Sequence, residues 1–144
     1  MDPMPTSPIN AATLQAYRDA HYRVEGDRAF TLRIDHASPE LRAAQRQLDV
    51  ECSAYLSACN PLGALLGEAA NQRRHAALIE AVEALGHPYW PGFGADPQGQ
   101  WPGEPSLLVF GIPLAEARGL GEHFAQNAIV WAGADAVPRL ILLR

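Results

Sequence analysis

A chain of 144 residues is one domain's worth, long enough to bury roughly two-thirds of the surface its unfolded form exposes and to fold without disulfides or metals. Apolar residues make up 48% and charged ones 19%, with a formal net charge of -5; that balance disfavours both intrinsic disorder and a basic surface that would coat nucleic acid. The opening MDPMPTSPIN lacks a basic stretch ahead of an apolar run, and no later segment approaches the roughly 18 apolar residues of a membrane span, so a cytoplasmic protein with no membrane partner is expected.

Residues 1–9 hold three prolines and no periodic pattern and read as a flexible lead-in to a single α+β domain over 10–144. Asn10 is placed to cap a helix over 11–21, with Leu14, Tyr17 and Tyr22 on an apolar side. RAFTLRID then alternates, with Phe30, Leu32 and Ile34 on one face and Thr31, Arg33 and Asp35 on the other, the pattern of a half-exposed strand. Ser38 as cap and Pro39 at the first helical position start a second helix over 39–48. ECSAYLSAC reads as a buried strand, stopped at Asn60-Pro61 because proline disfavours helical geometry in its predecessor and has no N–H to donate. Its two cysteines, Cys52 and Cys59, show no metal or redox spacing and read as reduced core thiols.

A longer helix follows over 65–85 and ends at Gly86, with a short strand near 87–91. SLLVFGI is a continuous apolar strand; Pro113 opens a further helix, LAEARGLGEHFA, and NAIVWAG and PRLILLR read as the last two strands. From Cys52 to Ala132 the expected order is β-α-β-β-α-β, a split βαβ or ferredoxin-like core in a mixed sheet. An extra helix, strand and helix precede it, and one strand follows.

Several polar residues interrupt this pattern. In the long helix the stripe Leu85, Val82, Leu78 continues backward to Arg74 and Asn71, so a core-facing side turns polar; Arg74 must meet either internal acceptors or a ligand. PGFGADPQGQWPGEPS is too rich in aromatics for a linker and reads as an ordered cleft loop presenting Trp101, with Glu104 and Ser106 on one face of the following strand. Glu104 is placed as a general base, a metal ligand or the internal partner of Arg74 or Arg33. Asn60, Gln126 and Asn127 sit at turns, where side-chain amides satisfy loop backbone or contact a ligand. No phosphate-binding glycine loop, histidine-built metal site or Gly-x-Ser-x-Gly element occurs, so no metal is expected and a cofactor is left unknown.

LRI in the first strand, NP followed by NQRR, GQWPGEPSLLVFGI, FAQNAIVW and the final LILLR together resemble a bacterial family of small uncharacterised proteins, a domain of unknown function. The resemblance covers most of residues 17–144 and implies one compact domain. The polar positions it matches are Arg33, Asn60, Asn71, Arg74, Trp101, Glu104, Ser106, Gln126 and Asn127. Cys59 departs from it, since a tryptophan would be expected before the Asn-Pro.

Three functions compete. The first is a domain that binds a small anionic ligand (a nucleotide, phosphate or carboxylate) through Arg33 and Arg74, with the amides around it and Trp101 as a wall. A hydrolase would instead use Glu104 as base and Arg74 to stabilise developing charge. An interaction module would pair the terminal strand, at a sheet edge, with a partner or a second copy of the chain.

Overall fold

The computed structural model describes residues 9–26, 29–99 and 102–144. The first helix, α1 (Ala11–Asp19), starts where the Asn10 side chain accepts a hydrogen bond from the Thr13 N–H at 2.8 Å. It stops short of the expected His21, because His21–Val24 forms a strand, β1, between β2 (Phe30–Leu32) and β4 (Tyr89–Ala95). Tyr22 therefore leaves the helical stripe and packs edge-to-face on Tyr55, with ring centroids 5.4 Å apart. The alternation expected across 30–35 is present: Leu32 and Ile34 are buried, and Phe30 packs against the same cluster.

Helix α2 (Pro39–Gln47) begins as its sequence dictates, with the Ser38 hydroxyl accepting from the Leu41 N–H and Pro39 at the first turn. Next come β3 (Ser53–Leu56), a single 3-10 turn over Pro61–Gly63 and α3 (Glu68–Leu85). Gly86 caps α3 in the left-handed conformation, φ 80°, which costs a residue with no Cβ little. β5 (Glu104–Phe110), α4 (Leu114–His123), β6 (Ala128–Ala132) and β7 (Arg139–Leu142) complete the chain. Pro113 stands one position before α4 rather than inside it.

The seven strands form one sheet in the order β2-β1-β4-β5-β3-β6-β7, antiparallel throughout rather than mixed as expected, because every neighbouring pair runs in opposite directions. It is curled, so that chain flanking the two edge strands meets at one end, where the Asp35 N–H donates to the Pro138 carbonyl at 2.7 Å. Because strand side chains alternate, β3 feeds two cores. Tyr55 joins Val24, Leu32, Leu108, Phe110, Val130 and the α2 residues Leu41 and Ala44 on the concave side. Ala54 and Leu56 join Leu107, Val109, Ile129, the α3 residues Leu78 and Val82, and Ala117 of α4 on the convex side. Burying a side chain such as Leu78 stabilises the fold by about 1.5–3 kcal/mol. Leu85, placed in the same stripe by its spacing, is 43% exposed, since the last turn of α3 runs past that core.

Much of the Gly/Pro stretch expected as a loop is strand. Residues 89–94 pair with β5 and 92–95 with β1, and Gly92 is required there by a close crossing. A Cβ on Gly92 would lie 2.7 Å from both the Arg23 carbonyl oxygen and the Tyr55 hydroxyl. Tyr55 uses that gap to donate from β3, across β5 and β4, to the Arg23 carbonyl of β1 at 2.7 Å. Gly92→Ala is expected to lower unfolding stability by about 1–3 kcal/mol, the usual cost of overpacking, when measured by urea denaturation; an unchanged midpoint would mean the crossing is loose.

Candidate functional site

The concave face is not filled to its end. Where α1 passes over it, a cavity of about 680 Å³ remains. β4 helps create it: Tyr22 of β1, Gly94 of β4 and Glu104 of β5 lie in one row across the sheet, and Val24, Gly92 and Ser106 in the next. Gly94 leaves a hollow that neighbouring strands line with longer side chains, while the space over Gly92 is taken by Tyr55. Tyr22, Tyr55, Ser57, Glu104 and Ser106 form the floor, Ala16 and Tyr17 of α1 lie opposite, and Asn60, Gln126 and Asn127 also line it.

Glu104 is the acidic group of this lining. One carboxylate oxygen accepts from the Asn60 side-chain N–H at 2.7 Å, and Ser57 supplies a second hydrogen bond. Burial pushes the acid above the usual carboxylate range, against the opposing pull of these two donors. Among the described residues, no cationic side chain forms an ion pair with it. A carboxylate drawn out of water without a countercharge is a group whose environment has been shaped for something other than stability alone.

Asn60 is fixed before it reaches Glu104. It adopts left-handed backbone geometry, φ 49°, which asparagine tolerates better than most residues. Its side-chain oxygen accepts from the Leu66 N–H and the Asn71 side chain, both at 2.9 Å, and its own N–H donates to Asn71 Oδ1 at 3.0 Å. Asn71 thus acts on the cavity through Asn60, without lining it.

The expected site residues divide between the cavity and elsewhere. Asn60, Glu104, Ser106, Gln126 and Asn127 come together in the cavity. Arg74 does not: its guanidinium donates to the Ala58 carbonyl at 2.5 Å and to the Phe124 carbonyl, tying the end of β3 to the end of α4. Gln126 joins the same junction, donating to the carbonyls of Cys59 and Phe124. Asn127 donates to the Tyr17 hydroxyl at 3.2 Å and so holds α1 over the cavity. Arg33 follows β2, outside the cavity lining, and its Nε is buried without a hydrogen-bond partner. Trp101 lies outside the described residues.

Sequence reasoning missed the tyrosines and Ser57. Tyr55 and Ser57 were legible as alternate residues of SAYLS, on one face by the same period of two that pairs Glu104 with Ser106. Tyr17 and Tyr22 had been assigned to the apolar side of one helix. Among the described residues, no group of three or more His, Cys, Asp and Glu side chains gathers to hold a metal ion, and no helix is long and apolar enough to cross a membrane.

A family model described as a protein of unknown function, DUF3293, matches residues 56–129. The chain belongs to the DUF3293 family. The DUF3293 match is narrower than the resemblance drawn from motifs and runs from the last residue of β3 into β6. It takes in Ser57, Asn60, Asn71, Arg74, Glu104, Ser106, Gln126 and Asn127, while Tyr17, Tyr22, Arg33 and Tyr55 lie outside it. No curated protein and no solved structure matches the chain.

Two outcomes are expected. Arg74→Ala leaves two carbonyls without their charged donor, which should cost about 2–4 kcal/mol in urea unfolding; a change within experimental error would remove Arg74 from the framework. The second concerns pH. With its folded-state pKa raised, Glu104 contributes stability that is fully present below its unfolded pKa and lost as pH rises through the folded one. The stability of wild type relative to Glu104→Gln should therefore fall as pH is raised from about 4 towards neutrality. A difference that grows over the same interval would place a cation beside Glu104.

Proposed function

We propose that this protein is a small-molecule-binding module whose ligand occupies the cavity between α1 and the concave face of the sheet. The observation that carries this reading is the cavity itself. At about 680 Å³ it has the size of a small-molecule site, and convergent polar groups line one end of an otherwise apolar face. We also read the four central strands as a ferredoxin-like plait, since β3-α3-β4-β5-α4-β6 is the chain order and β4-β5-β3-β6 the order in the sheet.

The anionic ligand that two arginines would favour fits the lining less well. Arg33 and Arg74 stand outside it, and Arg74 is engaged with backbone carbonyls. The same geometry weighs against a hydrolase, because a base at Glu104 would lack the arginine meant to stabilise developing charge. Binding is the function that needs neither arginine.

A library of small amines, carboxylates, phosphates and nucleosides, screened by 1H–15N NMR, tests the reading. Bound compounds should shift the amides of Tyr22, Gly94, Glu104 and Ser106. Ala16→Trp, which fills the cavity from α1, should remove those shifts while leaving the remaining spectrum folded. At a hundredfold excess over its dissociation constant, a true ligand stabilises the fold by about 2.7 kcal/mol. Shifts that map elsewhere and survive Ala16→Trp would overturn the reading.

A further inference from the structure

Building on the cavity reading above, we propose that the group recognised on its floor is a cationic nitrogen, an ammonium or guanidinium bearing several N–H donors, held by the Glu104 carboxylate beside the tyrosine rings. The hydrogen-bonding capacity left open to an occupant supports this. A hydroxyl has one proton to give. That of Tyr22 goes to the Tyr17 carbonyl at 2.5 Å, that of Tyr55 to the Arg23 carbonyl at 2.7 Å, and that of Ser106 to the Glu104 carbonyl at 3.1 Å. All three oxygens have no further proton to give, and those of Tyr55 and Ser106 also lie within hydrogen-bonding reach of each other.

The amides point the same way. Gln126 directs its NH2 group at two carbonyls, which can only accept, so its oxygen is the atom left for a ligand. Asn60 has its oxygen engaged by the Leu66 N–H and the Asn71 amide, and its nitrogen engaged by Glu104. Among the described residues, what remains open on the floor around the Glu104 carboxylate is therefore richer in acceptors than in donors, and the Tyr17 hydroxyl, which accepts from Asn127 and keeps its own proton, lies opposite on α1. A phosphate or carboxylate entering there would meet a like charge and few donors, whereas an ammonium or guanidinium supplies what the floor lacks.

Charge and aromatic character add to this. The chain contains no lysine, and among the described lining residues the one guanidinium belongs to Arg144, which is exposed. Among the described residues, no internal cation thus takes the place beside Glu104. The edge-to-face pair of Tyr22 and Tyr55 borders the same space, and aromatic ring faces attract cations, most strongly where water is excluded.

Matched probes of one shape test the proposal on the full chain: phenethylammonium and phenethylguanidinium against phenylpropionate and phenethyl alcohol, by calorimetry with 1H–15N mapping. The cations should bind about tenfold or more tightly than the alcohol, and phenylpropionate more weakly than either cation. Glu104→Gln should remove most of the cation's advantage while leaving the alcohol's affinity unchanged. If that variant fails to fold, the ranking of the four probes on wild type still decides. Phenylpropionate binding as tightly as the cations, with shifts abolished by Ala16→Trp, would overturn the cationic assignment and leave the cavity reading standing. Shifts from every probe that ignore Ala16→Trp would remove both.

Discussion

The hydrogen bond from Asn60 to Glu104 is the interaction around which the candidate site is built. It joins the turn after β3 to the first residue of β5, and it supplies a half-buried carboxylate with a neutral donor where a stabilising design would place a cation. Asn60 can do this only because Asn71 and the Leu66 N–H occupy its remaining polar atoms. A half-satisfied buried network is costly. Here each member of the Asn60–Asn71 pair restricts the other, and the carboxylate keeps open capacity on the cavity side.

Space for that carboxylate comes from β4. A strand with Gly92 and Gly94 at successive inward positions has little side-chain packing of its own, and its stability must come from its neighbours. β1 and β5 pair it on both sides, and the Tyr55 hydroxyl crosses it to reach β1. The glycines are therefore tolerated because the sheet is wide; Tyr55 fills the space over Gly92, and α1 covers the hollow beside Gly94. Arg74 works on the opposite side of the same framework, holding the ends of β3 and α4 together through their carbonyls.

Elements with a local mechanism were legible in the sequence. Ser38 and Pro39 marked the start of α2, Gly86 ended α3, and the alternation of Phe30, Leu32 and Ile34 gave the face of β2 and of the residues after it. The shared face of Glu104 and Ser106 followed from the period of two. What escaped had no local signature. β1 is four residues long, and its Tyr22 continues the spacing of the helix before it. β4 carries glycine and proline, residues that signal a loop when read alone and form a strand here only through pairing with distant segments. The stripe through Leu78 and Val82 was right about the core but could not tell whether Arg74 would face a ligand or two carbonyls, because both carbonyls come from elsewhere in the chain.

A direct titration of Glu104 tests the central claim that its carboxylate is held on the cavity floor without a countercharge. The side-chain carboxyl carbon can be followed by 13C NMR as pH is varied, together with the side-chain NH2 of Asn60, in the full chain without ligand. The carboxyl should titrate above the usual range of glutamates, with the Asn60 signals moving in step. A midpoint at or below that range, with Asn60 unaffected, would mean that the carboxylate is solvated or paired with a cation and that the site as built here does not exist.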